Sequence, residues 1–260
     1  MRRGETDDDV GIFNEGRSGA YCSKLRHSPL GGQVTCCDGS RCHAAARRVT
    51  LPRCSFLSIR AVKTLAVLYA TREGQTRRIA EHMATTLRAR DFTVSVHDVA
   101  VELPKDFDLA HCTGAVLAAS IHIGKHEKEM VTFVKRHRAE LERMPCMFLS
   151  VNLSQAGVED ANATSRRRER AKVNVAKMID KFLGKTGWKP DRVHPVAGAL
   201  LYRQYRLPTR LMMRFIAKLV GASTDTTRDH EYTDWRALDR FAEELARDVN
   251  GKTPIVGGAS

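Results

Sequence analysis

The sequence predicts an α/β domain, a doubly wound five-stranded parallel sheet with helices on both faces. From about residue 62 onward, short apolar runs alternate with segments of helical periodicity, the order of repeated strand–helix units. Thr64–Ala70 is an apolar run, and Gly114–Ser120 is apolar at nearly every position, as a central strand buried on both faces is. Three runs also end in small polar residues: Thr71 to Thr76, Ser120 to Gly124, and Ser150 to Leu153. In a parallel sheet these fall at one edge, the carboxyl end where open α/β sheets bind ligands.

The first strand runs into Thr71-Arg-Glu-Gly-Gln-Thr76, and Ile79, Ala80, Met83, Ala84 and Leu87 then recur at helical spacing. A loop at a helix N-terminus aims unpaired N–H groups at one point, where the helix dipole also favours an anion. Thr71 and Thr76 add hydroxyls, and Gly74 lets the backbone come close. The glycine-rich dinucleotide fingerprint is absent, and Gly184-Lys185-Thr186 has Ile179 where a P-loop needs glycine. What remains is T-x-x-G-x-T after a strand, which resembles the phosphate loop of FMN-binding, flavodoxin-like proteins. An ordinary turn with threonine as N-cap is the competing reading.

Phe92–Asp98 alternates apolar and polar residues as a half-buried strand. After a connection over Asp106–Cys112, Gly114–Ser120 is the third strand and ends in Ser120-Ile-His-Ile-Gly124-Lys-His126. A helix follows with Met130, Phe133, Val134, His137 and Leu141 on one face, His137 being read as a surface or packing residue. Cys146–Leu153 is the fourth strand. Gln155 to Arg170, with Arg166, Arg167, Arg168 and Arg170, reads as a solvated loop, and Val173–Leu183 as a helix broken by Trp188-Lys-Pro190. Val193–Leu201 is the fifth strand.

Pro208 and Gly221 frame a helix over 208–221. Arg210, Arg214 and Lys218 stand four apart in one stripe, and the rest is strongly apolar. Either the apolar face packs on the domain, or the helix lies at an acidic lipid surface with its basic residues at the rim. Neighbouring Arg203 and Arg206 and the overall charge favour the second. A last helix, Asp234–Val249, would pack through Leu238, Phe241, Leu245 and Val249.

The net charge of +13 calls for an anionic partner. No basic patch interleaved with aromatics and no recognition helix points to nucleic acid. No apolar run reaches the roughly 20 residues that span a bilayer, so membrane contact is expected to be peripheral. Five of the seven cysteines fall in the first 60 residues (Cys22, Cys36, Cys37, Cys42, Cys54), without the pattern of a disulfide framework or a metal site. A reducing compartment follows. Residues 1–61 read as an N-terminal extension. Its arginine-rich, acid-poor second part suggests targeting, its acidic start (Asp7, Asp8, Asp9) argues against a simple presequence, and a mis-set start near Val62 is the rival. Residues 62–253 form the domain and 254–260 a tail.

From about Val62 to Thr253 the chain resembles the flavodoxin-like, quinone-dependent protoporphyrinogen IX dehydrogenases of haem biosynthesis. The matching segments are Lys63-Thr-Leu, Thr71-Arg-Glu-Gly-Gln-Thr-Arg, Ala119-Ser-Ile-His-Ile-Gly-Lys-His and Ser150-Val-Asn-Leu. They continue with Trp188-Lys-Pro-Asp-Arg, Ala197-Gly-Ala-Leu-Leu-Tyr-Arg-Gln-Tyr-Arg, Thr224-Asp-Thr and Tyr232-Thr-Asp-Trp235. The resemblance implies that FMN takes electrons from protoporphyrinogen IX and passes them to ubiquinone or menaquinone, in three rounds. It places the FMN phosphate on Thr71, Arg72, Glu73, Gly74, Gln75 and Thr76. It flanks the ring with Ser120, Ile121, His122, Gly124, Ser150, Val151, Asn152 and Leu153. His122 and His126 are the proton-relay candidates, and Arg203 and Arg206 the contacts for two propionates. The stretches 154–172 and 200–222 are candidates for an inserted segment associated with activity and membrane association. A peripheral membrane location is implied, mitochondrial if the extension is a eukaryotic targeting segment and otherwise on the cytoplasmic face of a bacterial inner membrane. Self-association is left open. The rival readings are a flavodoxin-type electron carrier and an NAD(P)H:quinone oxidoreductase.

Overall fold

A computed structural model describes residues 63–220 and 222–251. The expectations for residues 1–61 and for the tail lie outside them. In chain order the elements are β1 (Thr64–Ala70), α1 (Gln75–Arg88), β2 (Thr93–Asp98), β3 (Gly114–His122), β4 (Lys125–His126) and α2 (Lys128–Leu141). Then come β5 (Cys146–Asn152), α3 (Ser154–Glu159), α4 (Ser165–Thr186), β6 (Arg192–Ala197), β7 (Ala199–Leu200), α5 (Leu207–Val220), β8 (His230–Glu231) and α6 (Trp235–Gly251).

Five strands form a parallel sheet in the order β2-β1-β3-β5-β6. The chain goes one way from β1 to β2 and the other way from β3 onward, so the order reverses between β1 and β3. Ligands of doubly wound sheets bind at that switch point. The strand period of two explains why the central strands are apolar throughout. Leu65, Val67 and Tyr69 of β1 pack with Ile79, Met83 and Leu87 of α1 and with Leu238 and Leu245 of α6. Ala66, Leu68 and Ala70 point the other way, into a core with Met130, Val134 and Leu141 of α2 and Phe182 of α4.

Two expectations are corrected. Gln155 to Arg170 is mostly helical, with α3 and the first turns of α4 joined by a short turn. Thr164 is extended and its Oγ1 accepts the Arg167 N–H, an N-cap that starts a run of good helix formers. Ala171, Val175 and Phe182 then bury one face, and Gly187 ends the helix in the left-handed conformation at φ 68°. The fifth strand also stops early. β6 ends at Ala197, and after Gly198 the chain leaves the sheet as β7, which pairs antiparallel with β8.

Leu200, Tyr202, Tyr205 and Ala217 make a third, smaller core under α5. Only part of the apolar surface of α5 is used there. Leu207, Leu211, Phe215 and Leu219 are all more than 60% exposed and recur every four residues along one stripe. The reading in which this helix buries its apolar face on the domain therefore does not hold for that stripe. Arg210 is not a free rim charge either, since its guanidinium donates to the carbonyls of Tyr202 (3.0 Å) and Tyr205 (3.4 Å). Among the described residues, no helix is long and apolar enough to cross a membrane.

Candidate functional site

The loop after β1 is shaped by two of its own residues. Gly74 takes φ 89°, a left-handed conformation that side chains resist, although a Cβ there would meet nothing within 4 Å. Its N–H donates to Thr71 Oγ1 at 3.0 Å, which folds the loop back over the start of α1. That helix has neither a side-chain cap nor an acidic residue in its first turn. Its end is therefore left electropositive and open to an anion. Thr76, in the first turn, is buried, and its Oγ1 has no hydrogen-bond partner among the described residues. An unsatisfied buried hydroxyl costs about 1–3 kcal/mol, which a ligand acceptor would relieve.

The other side chains of the loop are engaged elsewhere. Arg72 pairs with Glu127 at 2.6 Å and Glu129 at 3.2 Å. Gln75 donates to Glu231 (2.9 Å) and Thr233 (2.8 Å), tying the helix start to β8. Glu73 accepts the Tyr205 hydroxyl at 2.6 Å.

The second wall is the turn from β3 into β4. Ile123 and Gly124 both adopt positive φ (47° and 68°), which reverses the chain so that β4 pairs back on β3. Ile121, His122 and Gly124 face the cavity, and Ser120 also borders it while donating to Glu127 Oε1 at 3.2 Å. The third wall is the end of β5. Val151, Asn152 and Leu153 border the cavity, and Asn152 Oδ1 accepts the Gln155 N–H at 2.9 Å at the start of α3. Ser150, expected beside the ring, lies below the cavity with its Oγ on His126 Nε2 at 2.9 Å.

His126 is thus a core residue, with its ring beside those of Phe148 and Phe182 at 5.3 and 4.8 Å. Burial pushes its pKa down to about 4, which keeps the ring neutral at ordinary pH and unsuited to a proton relay. Unfolded, a histidine titrates near 6.5, so between the two values the unfolded chain binds the extra proton. The stability this residue contributes is full above about pH 6.5 and is lost as the pH falls toward 4, by a total on the order of 3 kcal/mol. In urea titrations at pH 7 and 4.5, His126→Gln is expected to show a clearly smaller loss of stability than the wild type.

Together the three walls enclose a cavity of about 520 Å³, within the usual range for small-ligand sites. Sequence reasoning missed the rest of its lining. α4 contributes Asn174, Lys177, Met178 and Lys181, and α5 contributes Met212, Met213 and Ile216. The α4 set recurs at helical spacing, but its mixed polarity looks like any solvated face, so only the packing of α4 reveals it. A second cavity of about 650 Å³ shares Arg72, Glu73, His122 and Met212 with the first and adds Lys125, Lys128 and Arg206. Arg203 reaches neither cavity. It is exposed, and its backbone N–H is held by Asp229 at 2.8 Å.

The model of the flavodoxin domain family matches residues 66–227, which takes in both the Thr71–Thr76 loop and α5. The chain is 36% identical over 188 residues to the protoporphyrinogen IX dehydrogenase (quinone) of Escherichia coli strain K12, covering 71% of this chain and 95% of that protein. A Leishmania major protein of the same name is 34% identical over 180 residues, covering 69% and 73%. Among solved structures, a flavodoxin from the domain Archaea superposes with a TM-score of 0.40 at 13% identity, over 72% of this chain and 99% of its own.

Proposed function

The chain belongs to the flavodoxin-domain family of quinone-dependent protoporphyrinogen IX dehydrogenases, and from that premise we propose that it oxidises protoporphyrinogen IX with bound FMN and delivers the electrons to a membrane quinone. The observation that carries this reading is coverage: the similarity runs through 95% of the Escherichia coli protein, well beyond a phosphate loop.

The residues present fit FMN. A single phosphate suits the uncapped N-terminus of α1 together with the unpartnered Thr76 hydroxyl and Thr71. The strand ends Ile121 to Gly124 and Val151 to Leu153 would flank the ring, and Met178, Met212 and Ile216 supply apolar surface in the same cavity. The flavin supplies two-electron acceptor chemistry, and the protein binds and orients it and excludes competing reactions. The substrate carries two propionates. Arg206, on the second cavity, and Lys177 and Lys181, on the first, are the cations to receive them. Arg203 has no place in this assignment.

The exposed stripe of α5 supports a peripheral membrane position. Leu207, Leu211, Phe215 and Leu219 would enter the interface, with Arg214 and Lys218 toward anionic head groups. A quinone dissolved in the bilayer would then reach the cavity past Met212 and Met213 of the same helix.

The test is anaerobic. Protein, FMN and protoporphyrinogen IX are mixed, and flavin bleaching and porphyrin fluorescence are followed with and without quinone. Bleaching by the porphyrinogen and sustained porphyrin formation with quinone are expected. Absence of quinone-dependent porphyrin would overturn the assignment, and bleaching by NADPH instead would favour a reductase.

A further inference from the structure

Removing hydrogen from a porphyrinogen releases protons as well as electrons, and the candidate site holds one group suited to take them. Among the described residues, Glu73 is the sole carboxylate lining the first cavity, and it borders the second cavity too. Its Oε2 is fixed by the Tyr205 hydroxyl at 2.6 Å. The Tyr205 oxygen itself accepts the Leu201 N–H at 3.2 Å, and its ring belongs to the small core under α5. The neighbouring guanidinium of Arg72 is turned to Glu127 and Glu129 instead. Glu73 is therefore a positioned carboxylate with no cation paired to it among the described residues, and its other oxygen has no protein donor there. Burial raises its pKa, against the Tyr205 hydrogen bond and the His122 ring, with Glu127 adding to the rise. A carboxylate moved toward neutral pH is a better proton acceptor than one left at its ordinary value.

We propose that Glu73 is the catalytic base of the dehydrogenation and that Tyr205 is its positioning residue. This rests on the porphyrinogen reading above. In each round a carbon–hydrogen bond of the substrate breaks, and FMN held by the Thr71–Thr76 loop and the strand ends would supply the hydride acceptor. The accompanying proton goes to Glu73 as a new double bond forms in the tetrapyrrole, from a pyrrole N–H in two of the rounds and from a meso carbon in the third, so that four carbon–hydrogen and two N–H bonds are broken in all. The quinone would take up the two electrons with two protons, one of them from Glu73, and leave as the quinol, which returns the carboxylate to its starting state. The charged and titratable groups around Glu73 are Arg72 on its own loop, His122, Lys125 and His126 from the β3–β4 reversal, Glu127 and Lys128 at the start of α2, and Tyr205 and Arg206 ahead of α5.

Glu73→Gln keeps the size of the side chain and an oxygen acceptor for Tyr205, so the fold and the FMN site should survive it. Stopped-flow bleaching of the flavin by protoporphyrinogen IX is expected to slow by about 10²- to 10⁴-fold, while bleaching by dithionite and the affinity of the apoprotein for FMN stay unchanged. The wild-type rate should rise with pH as the carboxyl ionises. That limb should vanish in Glu73→Gln and persist, at lower rate, in Glu73→Asp. The apoprotein gives a readout free of turnover: an infrared carboxyl band titrating above the ordinary glutamate range, absent in Glu73→Gln and moved to still higher pH in Tyr205→Phe. If the porphyrinogen bleaches Glu73→Gln at the wild-type rate or with the wild-type pH limb, or if lost FMN affinity accounts for the whole effect, the assignment of Glu73 is overturned alone. If dithionite bleaches the wild type but the porphyrinogen does not, the substrate reading falls, and this role with it.

Discussion

Changing Leu211 and Phe215 together to glutamate is expected to lower partition of the protein onto anionic phospholipid vesicles by about 100-fold or more. Both side chains are largely exposed, at 66% and 63%, so neither contributes to the folded core. Burying each in an apolar phase is worth about 1.5–3 kcal/mol, and the two together about 3–6 kcal/mol. Each tenfold change in partition is 1.4 kcal/mol, and the added negative charges are also repelled by the lipid. Arg214 and Lys218 contribute separately, by attraction that salt screens. Raising the ionic strength should therefore weaken the wild type in part, whereas the double variant should bind poorly at every salt concentration. Vesicle co-sedimentation measures this, with flavin binding as the control for folding. Unchanged partition would mean that α5 is not the face that meets the bilayer.

Thr76→Val should have effects of opposite sign on the two forms of the protein. The hydroxyl is buried without a partner, so its removal is expected to stabilise the apoprotein by about 1 kcal/mol. On the proposed FMN site, the same change would remove a hydrogen bond to a charged phosphate, worth about 1.5–3 kcal/mol, and the dissociation constant should rise by roughly 10- to 150-fold. Titration by flavin fluorescence gives the affinity, and thermal melts of the apoprotein give the stability. A hydroxyl with a purely structural role would give a loss in both. A hydroxyl held in reserve for a ligand gives a gain in one and a loss in the other.

What was legible in the sequence follows from how far apart the cooperating residues lie. The unit from Thr64 to Arg88 is set by local patterns, an apolar run, a left-handed glycine and a helical stripe, and each can be seen within a dozen residues. The central place of β3 was legible in its continuous apolar run, whereas the full strand order is seen only in the structure. The start of α4 was hidden because Ser165 to Arg170 shows no apolar periodicity, and the helix draws its stability from a threonine cap and from later residues packed on the domain. The contact between Glu73 and Tyr205 spans 132 residues of sequence, and no local pattern marks it. His126 illustrates the converse. Its neighbours Ile121 to Gly124 border the cavity, but the chain reversal at Ile123 and Gly124 turns the β4 histidine under the sheet edge.

The break at Gly198 has a consequence for how this architecture tolerates change. The chain leaves the sheet there and comes back beside the end of β6 at Thr233, just ahead of α6, and the two points are stitched together. Thr233 Oγ1 donates to the Ala197 carbonyl at 2.8 Å, and the Tyr232 N–H donates to that of Gly198 at 3.1 Å. Everything from β7 to β8 hangs from that narrow neck around its own small core. Because the closed neck already fixes both ends, the excursion can be lengthened or recomposed at little entropic cost and without strain on the five-stranded sheet. The exposed stripe of α5 can therefore drift while the cradle is kept, the two parts being joined by Tyr205 on Glu73, by Gln75 on Glu231 and by the α5 residues that line the shared cavity.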